Sequence, residues 1–283
     1  MFKVVGVLGA GQMGSGIAHV FAQHAYQVLL YDISQAQLDK ALKSIEQNLE
    51  RQARKGVIFT TSIEGIMARI TATKELKDFA QCDLVVEAAT ENENLKFELF
   101  KKLDEIVAEE AILASNTSSI SITRIAACTR RPDKVIGMHF MNPVPIMTLV
   151  EVIRGLGTSE ETFQAIGTLV ARLGKEMAVA NDYPGFIVNR VLIPMINEAI
   201  FALYEGIATA EDIDKGMKLG TNQPMGPLVL ADFIGLDTVL AICNVLHDGF
   251  KDPKYRPCPL LVIMVNAGYL GKKSGKGFYD YKG

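Results

Sequence analysis

The chain has 283 residues, 49% apolar and 22% charged, with 29 basic and 32 acidic side chains and a net charge of −3. This length suits one or two domains and buries a sizeable core without staples, so disorder is excluded as the main state. No basic excess points to nucleic acid, and the four dispersed cysteines, without a CxxC pair or zinc-like spacing, read as free thiols in a reducing compartment.

The first residues lead straight into a strand-like run, without the charged start and apolar stretch of a signal peptide. Residues 4–8 form the first expected strand, 13–25 a helix, 27–31 a second strand and 35–55 a long amphipathic helix. Strands at 84–87, 111–114 and 135–138, with a helix at 95–108, continue the alternation. Such alternation predicts a parallel sheet covered on both faces, a doubly wound Rossmann-like α/β domain. From about residue 158 helical periodicity dominates, with helices expected near 159–174, 185–206, 210–218, 226–248 and 258–267. The turn-rich junction at 180–185 divides an α/β domain (1–182) from an all-helical domain (183–283). The most apolar long segment, 186–208, contains Asn189, Arg190, Asn197 and Glu198, which suits a buried or interface helix better than a bilayer span. Pro194 should kink it. A cytoplasmic protein with no membrane or nucleic-acid partner is expected.

Gly9-Ala10-Gly11-Gln12-Met13-Gly14 follows the first strand and opens the first helix. There the three glycines allow a tight turn, close approach of a pyrophosphate and close helix–strand packing. Asp32 ends the second strand about 20 residues on, where a carboxylate accepts a ribose 2′-hydroxyl and repels a 2′-phosphate. NAD is therefore expected over NADP.

Of the four histidines, His139 stands apart, because it ends a strand of the sheet just before Asn142-Pro143-Val144-Pro145. Strand ends of this kind line the ligand crevice. Glu151 lies in the apolar run 149–153, where a carboxylate needs a partner. Two placements remain open: beside His139 through a turn at 142–145, as an orienting acid, or facing solvent on an edge strand. Residues 115–119 (SNTSS) have either the capping role usual for such side chains or a nicotinamide or substrate contact.

Taken together, GAGQMGSGIA (9–18), VVEAATENENLK (85–96), SNTSSISIT (115–123), HFMNPVPIMTLVEVI (139–153), DYPGFIVNR (182–190) and GKKSGKGFYDY (271–281) make the chain resemble the 3-hydroxyacyl-CoA dehydrogenases over essentially its whole length. Its short single-function bacterial members, which interconvert 3-hydroxybutyryl-CoA and acetoacetyl-CoA, are most similar. The resemblance implies His139 as catalytic base, Glu151 as its orienting partner, and Ser118 and Asn189 as donors to the substrate oxygen. It implies Gly9, Gly11, Gln12, Met13, Gly14 and Asp32 for the adenosine and phosphate side of NAD. Glu91, Lys96, Ser118 and Asn142 fall on the nicotinamide side, and Lys55 would meet the CoA portion. The implied assembly is a homodimer through the helical domain, with the cleft between domains and no metal. Met141 stands where the family usually has Phe, and Val229 where Glu is usual. Two rivals remain: a dehydrogenase of a free hydroxy or sugar acid, and a non-catalytic NAD-binding protein.

Overall fold

The computed structural model describes residues 2–281 and divides into two compact units, meeting in sequence between Asp182 and Tyr183. The first unit runs β1 (Val4–Leu8), α1 (Gln12–Gln23), β2 (Gln27–Tyr31), α2 (Gln35–Arg54), α3 (Ser62–Met67), β3 (Ile70–Thr73), β4 (Leu84–Glu87), α4 (Glu93–Ile106), β5 (Ile112–Ser115), α5 (Ile122–Ala126), β6 (Val135–Phe140), β7 (Leu149–Arg154), α6 (Glu160–Arg172) and β8 (Glu176–Asn181). Central strands such as Val4–Leu8 (VVGVL) carry no polar side chain because helices cover both faces of a parallel sheet. In α2, Leu38, Ala41, Ile45 and Leu49 recur at helical spacing and are the residues it buries. Ser34, Asn92, Ser121 and Ser159 each accept a backbone N–H of the helix they precede, which sets where α2, α4, α5 and α6 begin.

The eight strands lie in the order β3-β2-β1-β4-β5-β6-β7-β8. β1 through β6 are parallel, β7 turns back antiparallel to β6, and β8 runs parallel to β7. The chain winds from β1 to β2 on one side, while β4 lies on the other. The switch point of the sheet, where this fold takes its ligands, is therefore between β1 and β4.

β3 and β8 were not among the sequence-expected strands. Of the four residues of β3 only Ile70 is buried, and of the six in β8 only Ala180, so neither carries a strong hydrophobic pattern. β8 has a direct consequence. It covers the outer side of β7, so Glu151 stands on an interior strand rather than on an edge.

The second unit contains α7 (Val188–Tyr204), α8 (Ala210–Gly220), α9 (Pro227–Ile234), α10 (Leu236–Phe250) and α11 (Pro259–Asn266) around a core that includes Ile193, Ile196, Ile200, Leu228, Leu236 and Val239. The single helix expected over 226–248 is two helices with a 98° bend between them. Gly235 sits at the break with φ +99°, a conformation that ends a right-handed helix and favours glycine. α7 starts later than expected, because Gly185 (φ +76°) and Phe186 (φ +51°) are left-handed. Pro194 lies inside α7 as expected. Beside it, Asn197 donates to the Arg256 carbonyl at 3.0 Å and accepts from the Cys258 N–H at 2.9 Å, so its burial is satisfied. Nothing in the structure explains Val229, whose N–H donates to Asp214. Among the described residues no single helix is long and apolar enough to cross a membrane.

Candidate active site

The β1–α1 turn is shaped for close backbone approach. Gly9 has φ +102°, and a Cβ there would meet the Ala88 carbonyl oxygen at 2.7 Å. A Cβ at Gly14 would come within 1.7 Å of the Gly9 oxygen, so only glycine lets α1 sit against the strand. At Gly11 a Cβ would meet nothing within 4 Å, leaving this side of the turn open. No side chain caps α1, so its first N–H groups are available to an anion. Gln12 is exposed and donates to Asn142 Oδ1 at 3.1 Å, while Met13 packs against the core.

Asp32 sits beyond the end of β2, held by the Ala10 and Ser34 N–H groups, one on each carboxylate oxygen at 2.9 Å. Beside it lies a cavity of about 260 Å³, lined by Gly9, Asp32, Ile33, Ala88 and Leu95 among others. An apolar slot with one oriented carboxylate fits the adenosine half of NAD. Neither Lys nor Arg is among its described lining residues to receive a 2′-phosphate.

His139 and Glu151 are register partners across the antiparallel β6–β7 pair. Directly opposed side chains share a face, and His139 Nδ1 lies 2.7 Å from Glu151 Oε2. Glu151 is fully buried and His139 only 9% exposed, so the contact works in a low dielectric. The carboxylate accepts a hydrogen bond from Nδ1–H, which leaves the basic lone pair on Nε2 and supports an imidazolium when one forms.

A second charged cluster joins the ends of β4 and β5. Glu87 Oε1 accepts from Lys96 Nζ at 2.6 Å and from the Ala89 N–H at 2.7 Å, and Oε2 accepts from Ser115 Oγ at 2.7 Å. Lys96 also pairs with Glu91 at 3.3 Å. Glu91 in turn accepts from the Thr117 hydroxyl, from the Ser118 N–H at 3.1 Å and from Ser119 Oγ at 2.8 Å. Burial pushes the Glu91 carboxyl up, but the Lys96 ammonium and these three hydrogen bonds together outweigh it and hold the group below the usual range. The cap of α5 is Ser121, just beyond residues 115–119, whereas Thr117, Ser118 and Ser119 bind Glu91.

Gly9, Gly11, Gly14 and Asp32 thus lie together at the switch point. Ser118 and His139 follow or end the neighbouring strands β5 and β6, and Glu91, Lys96 and Asn142 lie beyond strand ends of the same unit. Lys55 is exposed at the end of α2, and Asn189 lies in the first turn of α7 in the second unit. Glu87 and Lys175 escaped the sequence reading, which took in Ser115 and Thr117 as part of the 115–119 segment. The signal for Glu87 was present: an acid ending an apolar strand, the same anomaly that singled out Glu151.

Residues 4–183 match the family model described as "3-hydroxyacyl-CoA dehydrogenase, NAD binding domain", and residues 185–281 the corresponding C-terminal domain. A 3-hydroxybutyryl-CoA dehydrogenase of Bradyrhizobium diazoefficiens is 56% identical over 283 residues, covering 100% of this chain and 97% of that protein. A probable 3-hydroxybutyryl-CoA dehydrogenase of Bacillus subtilis is 55% identical, covering 99% and 98%. The crystal structure of (S)-3-hydroxybutyryl-CoA dehydrogenase from Ralstonia eutropha superposes with a TM-score of 0.98 at 50% identity, covering 100% of both chains.

Proposed function

The chain belongs to the 3-hydroxyacyl-CoA dehydrogenase family, and from that premise we propose that it interconverts (S)-3-hydroxybutyryl-CoA and acetoacetyl-CoA with NAD. The observation that carries this is a likeness to 3-hydroxybutyryl-CoA dehydrogenases that runs the full length of both chains. The buried His139–Glu151 pair supports it, because the reaction needs a base with a fixed tautomer.

Bound NAD supplies the hydride acceptor in oxidation and the donor in reduction. The N-terminus of α1 holds the phosphates, and Asp32 takes the adenosine ribose hydroxyls and turns away a 2′-phosphate. His139 Nε2 takes the proton of the 3-hydroxyl as hydride leaves C3, and Glu151 stabilises the imidazolium. In reduction His139 returns that proton to the forming alkoxide. Ser118 donates to this oxygen, where charge develops. On the family resemblance alone, Asn189 is assigned as its second donor and Lys55 as a contact of the CoA portion. Glu91, Lys96 and Asn142 are assigned to the nicotinamide side.

We place residues 183–283 in substrate binding and in a homodimer contact, which the exposed apolar side chains of Val191 and Tyr204 on α7 suit. Four free cysteines suit a reducing cytoplasm, and the acyl-CoA substrate class suits a role in fatty-acid or butanoate metabolism. The deciding experiment is NADH oxidation with acetoacetyl-CoA, compared with free acetoacetate and with NADPH. Rapid turnover only with the thioester and NADH is expected. Turnover with the free acid favours a free-acid dehydrogenase, and none with either, despite NADH binding, favours a non-catalytic protein.

A further inference from the structure

The cluster at the ends of β4 and β5 holds more negative charge than stability requires. Glu87 is fully buried and Lys96 is 1% exposed, so one carboxylate and one ammonium already form a complete buried pair. Glu91 adds a second carboxylate on the same ammonium, with its side chain 38% exposed. Two carboxylates against one ammonium leave a net charge of −1. The buried pair is balanced by itself, so the uncompensated charge stands at the exposed Glu91 end, where it faces outward beside a ligand crevice and points to function.

The position of the crevice gives that charge an object. Asp32 beyond β2 marks the adenosine side, and the N-terminus of α1 marks the phosphates. A dinucleotide lying across the β1–β4 switch point therefore carries its nicotinamide half toward β4 and β5. Oxidised nicotinamide is a cation, and reduced nicotinamide is neutral. Resting on the NAD assignment above, we infer that Glu87 is a redox-state-selecting residue, which sets the cluster at net −1 and so favours the oxidised cofactor over the reduced one. Glu87 does this from behind the surface. It fixes Lys96 directly, and it reaches the turn that carries Ser118 by two routes. One runs through Ser115, whose Oγ accepts the Thr117 N–H at 3.2 Å; the other runs through Lys96 to Glu91. Field and geometry at the nicotinamide side thus share one buried carboxylate.

The test is the ratio of the dissociation constants for NAD+ and NADH, measured by binding rather than turnover, in wild type, Glu87→Gln and Glu87→Asp. Glu87→Gln keeps the shape and removes the charge. It is expected to weaken NAD+ about tenfold relative to NADH, the size of one partly screened unit charge. Glu87→Asp keeps the charge and shortens the reach, so its ratio is expected to stay within about twofold of wild type. An unchanged ratio in folded Glu87→Gln overturns the inference, as does an equal shift in Glu87→Asp, which would make geometry the cause. If Glu87→Gln does not fold, Glu91→Gln removes one charge at the exposed end of the same cluster. A shift of the same sign then supports the inference, and an unmoved ratio overturns it. A wild-type chain that binds neither cofactor form overturns the NAD assignment and this inference with it. A chain that binds both forms with the ratio unmoved by either substitution overturns the inference alone.

Discussion

The imidazole of His139 is useful only because of what stands behind it. With Glu151 at 2.7 Å from Nδ1, one tautomer is imposed, and the charged ring that forms during oxidation has a counter-charge in place. Replacing His139 with Gln removes the proton acceptor but leaves the Asp32 side of the site untouched. Turnover is expected to fall by about 100-fold or more, the usual worth of a general base, while NADH binding persists in a fluorescence titration. Glu151→Gln keeps the ring and loses its counter-charge. Its kcat is expected to fall about tenfold or more with little change in KM, because the charge matters most in the transition state. Full activity in either variant would remove that residue from the mechanism. At the other end of the cofactor site, Asp32→Ala is expected to weaken NADH and to narrow the preference for NADH over NADPH. Equal affinities before and after would show that the ribose lies elsewhere. His139, Glu151 and Asp32 were legible in the sequence because each is a polar residue in or at the end of an apolar strand. The choice between a paired and a solvent-facing Glu151 was not, because it turns on β8.

Elements place these residues, and one lysine ties down the segment that joins β6 to β7. The segment between β6 and β7 carries Asn142 and Pro145 along a cavity that Gln12 also lines. Lys175, just before β8, sends its ammonium into this segment, donating to the Val144 carbonyl at 2.8 Å and the Met147 carbonyl at 2.6 Å. Burial pushes its pKa down, yet two carbonyl acceptors are what an ammonium needs there. Lys175→Met keeps the stem and removes both charge-assisted bonds. It is expected to cost about 2–4 kcal/mol of stability in urea unfolding and to raise KM for NADH through a loosened Asn142. A variant with wild-type stability and KM would show that the segment holds itself. This contact spans about 30 residues of chain, and a lysine before a weak strand carries no sequence signal for it. The missed β3 and β8 failed for a related reason: their side chains are mostly exposed, so the aliphatic pattern that marks β1 or β4 is absent. The break at Gly235 was visible as a glycine within an apolar run, but glycine inside a helical pattern is often tolerated. Only the φ of +99° makes it a corner.

At the scale of the whole molecule, each unit has its own apolar core, and the first of them contains a titratable flaw. His19 lies fully buried on α1, and neither ring nitrogen makes a hydrogen bond of good geometry. Burial pushes its pKa from 6.5 down to about 4, against a smaller upward pull from Gln23 and Gln52, with the charge of His24 adding slightly to the depression. The folded state therefore holds His19 neutral where the unfolded chain has already taken up a proton. Between pH 6.5 and about 4 the unfolded state binds more protons, so stability must fall as pH falls. Above pH 6.5 the residue is neutral in both states and contributes no slope. Integrated across that window, a shift of this size is worth about 3 kcal/mol, a large share of the stability of an ordinary domain. His19→Leu removes the titration and keeps an apolar side chain of similar reach in the same place. Denaturant unfolding of both proteins at pH 7.5, 6 and 5 separates the contributions, since the carboxylates titrate mostly below this range. Wild type is expected to lose stability steadily over these steps, while the variant stays nearly flat. Parallel losses in the two proteins would assign the acid sensitivity to other groups and leave His19 as a tolerated passenger of the core.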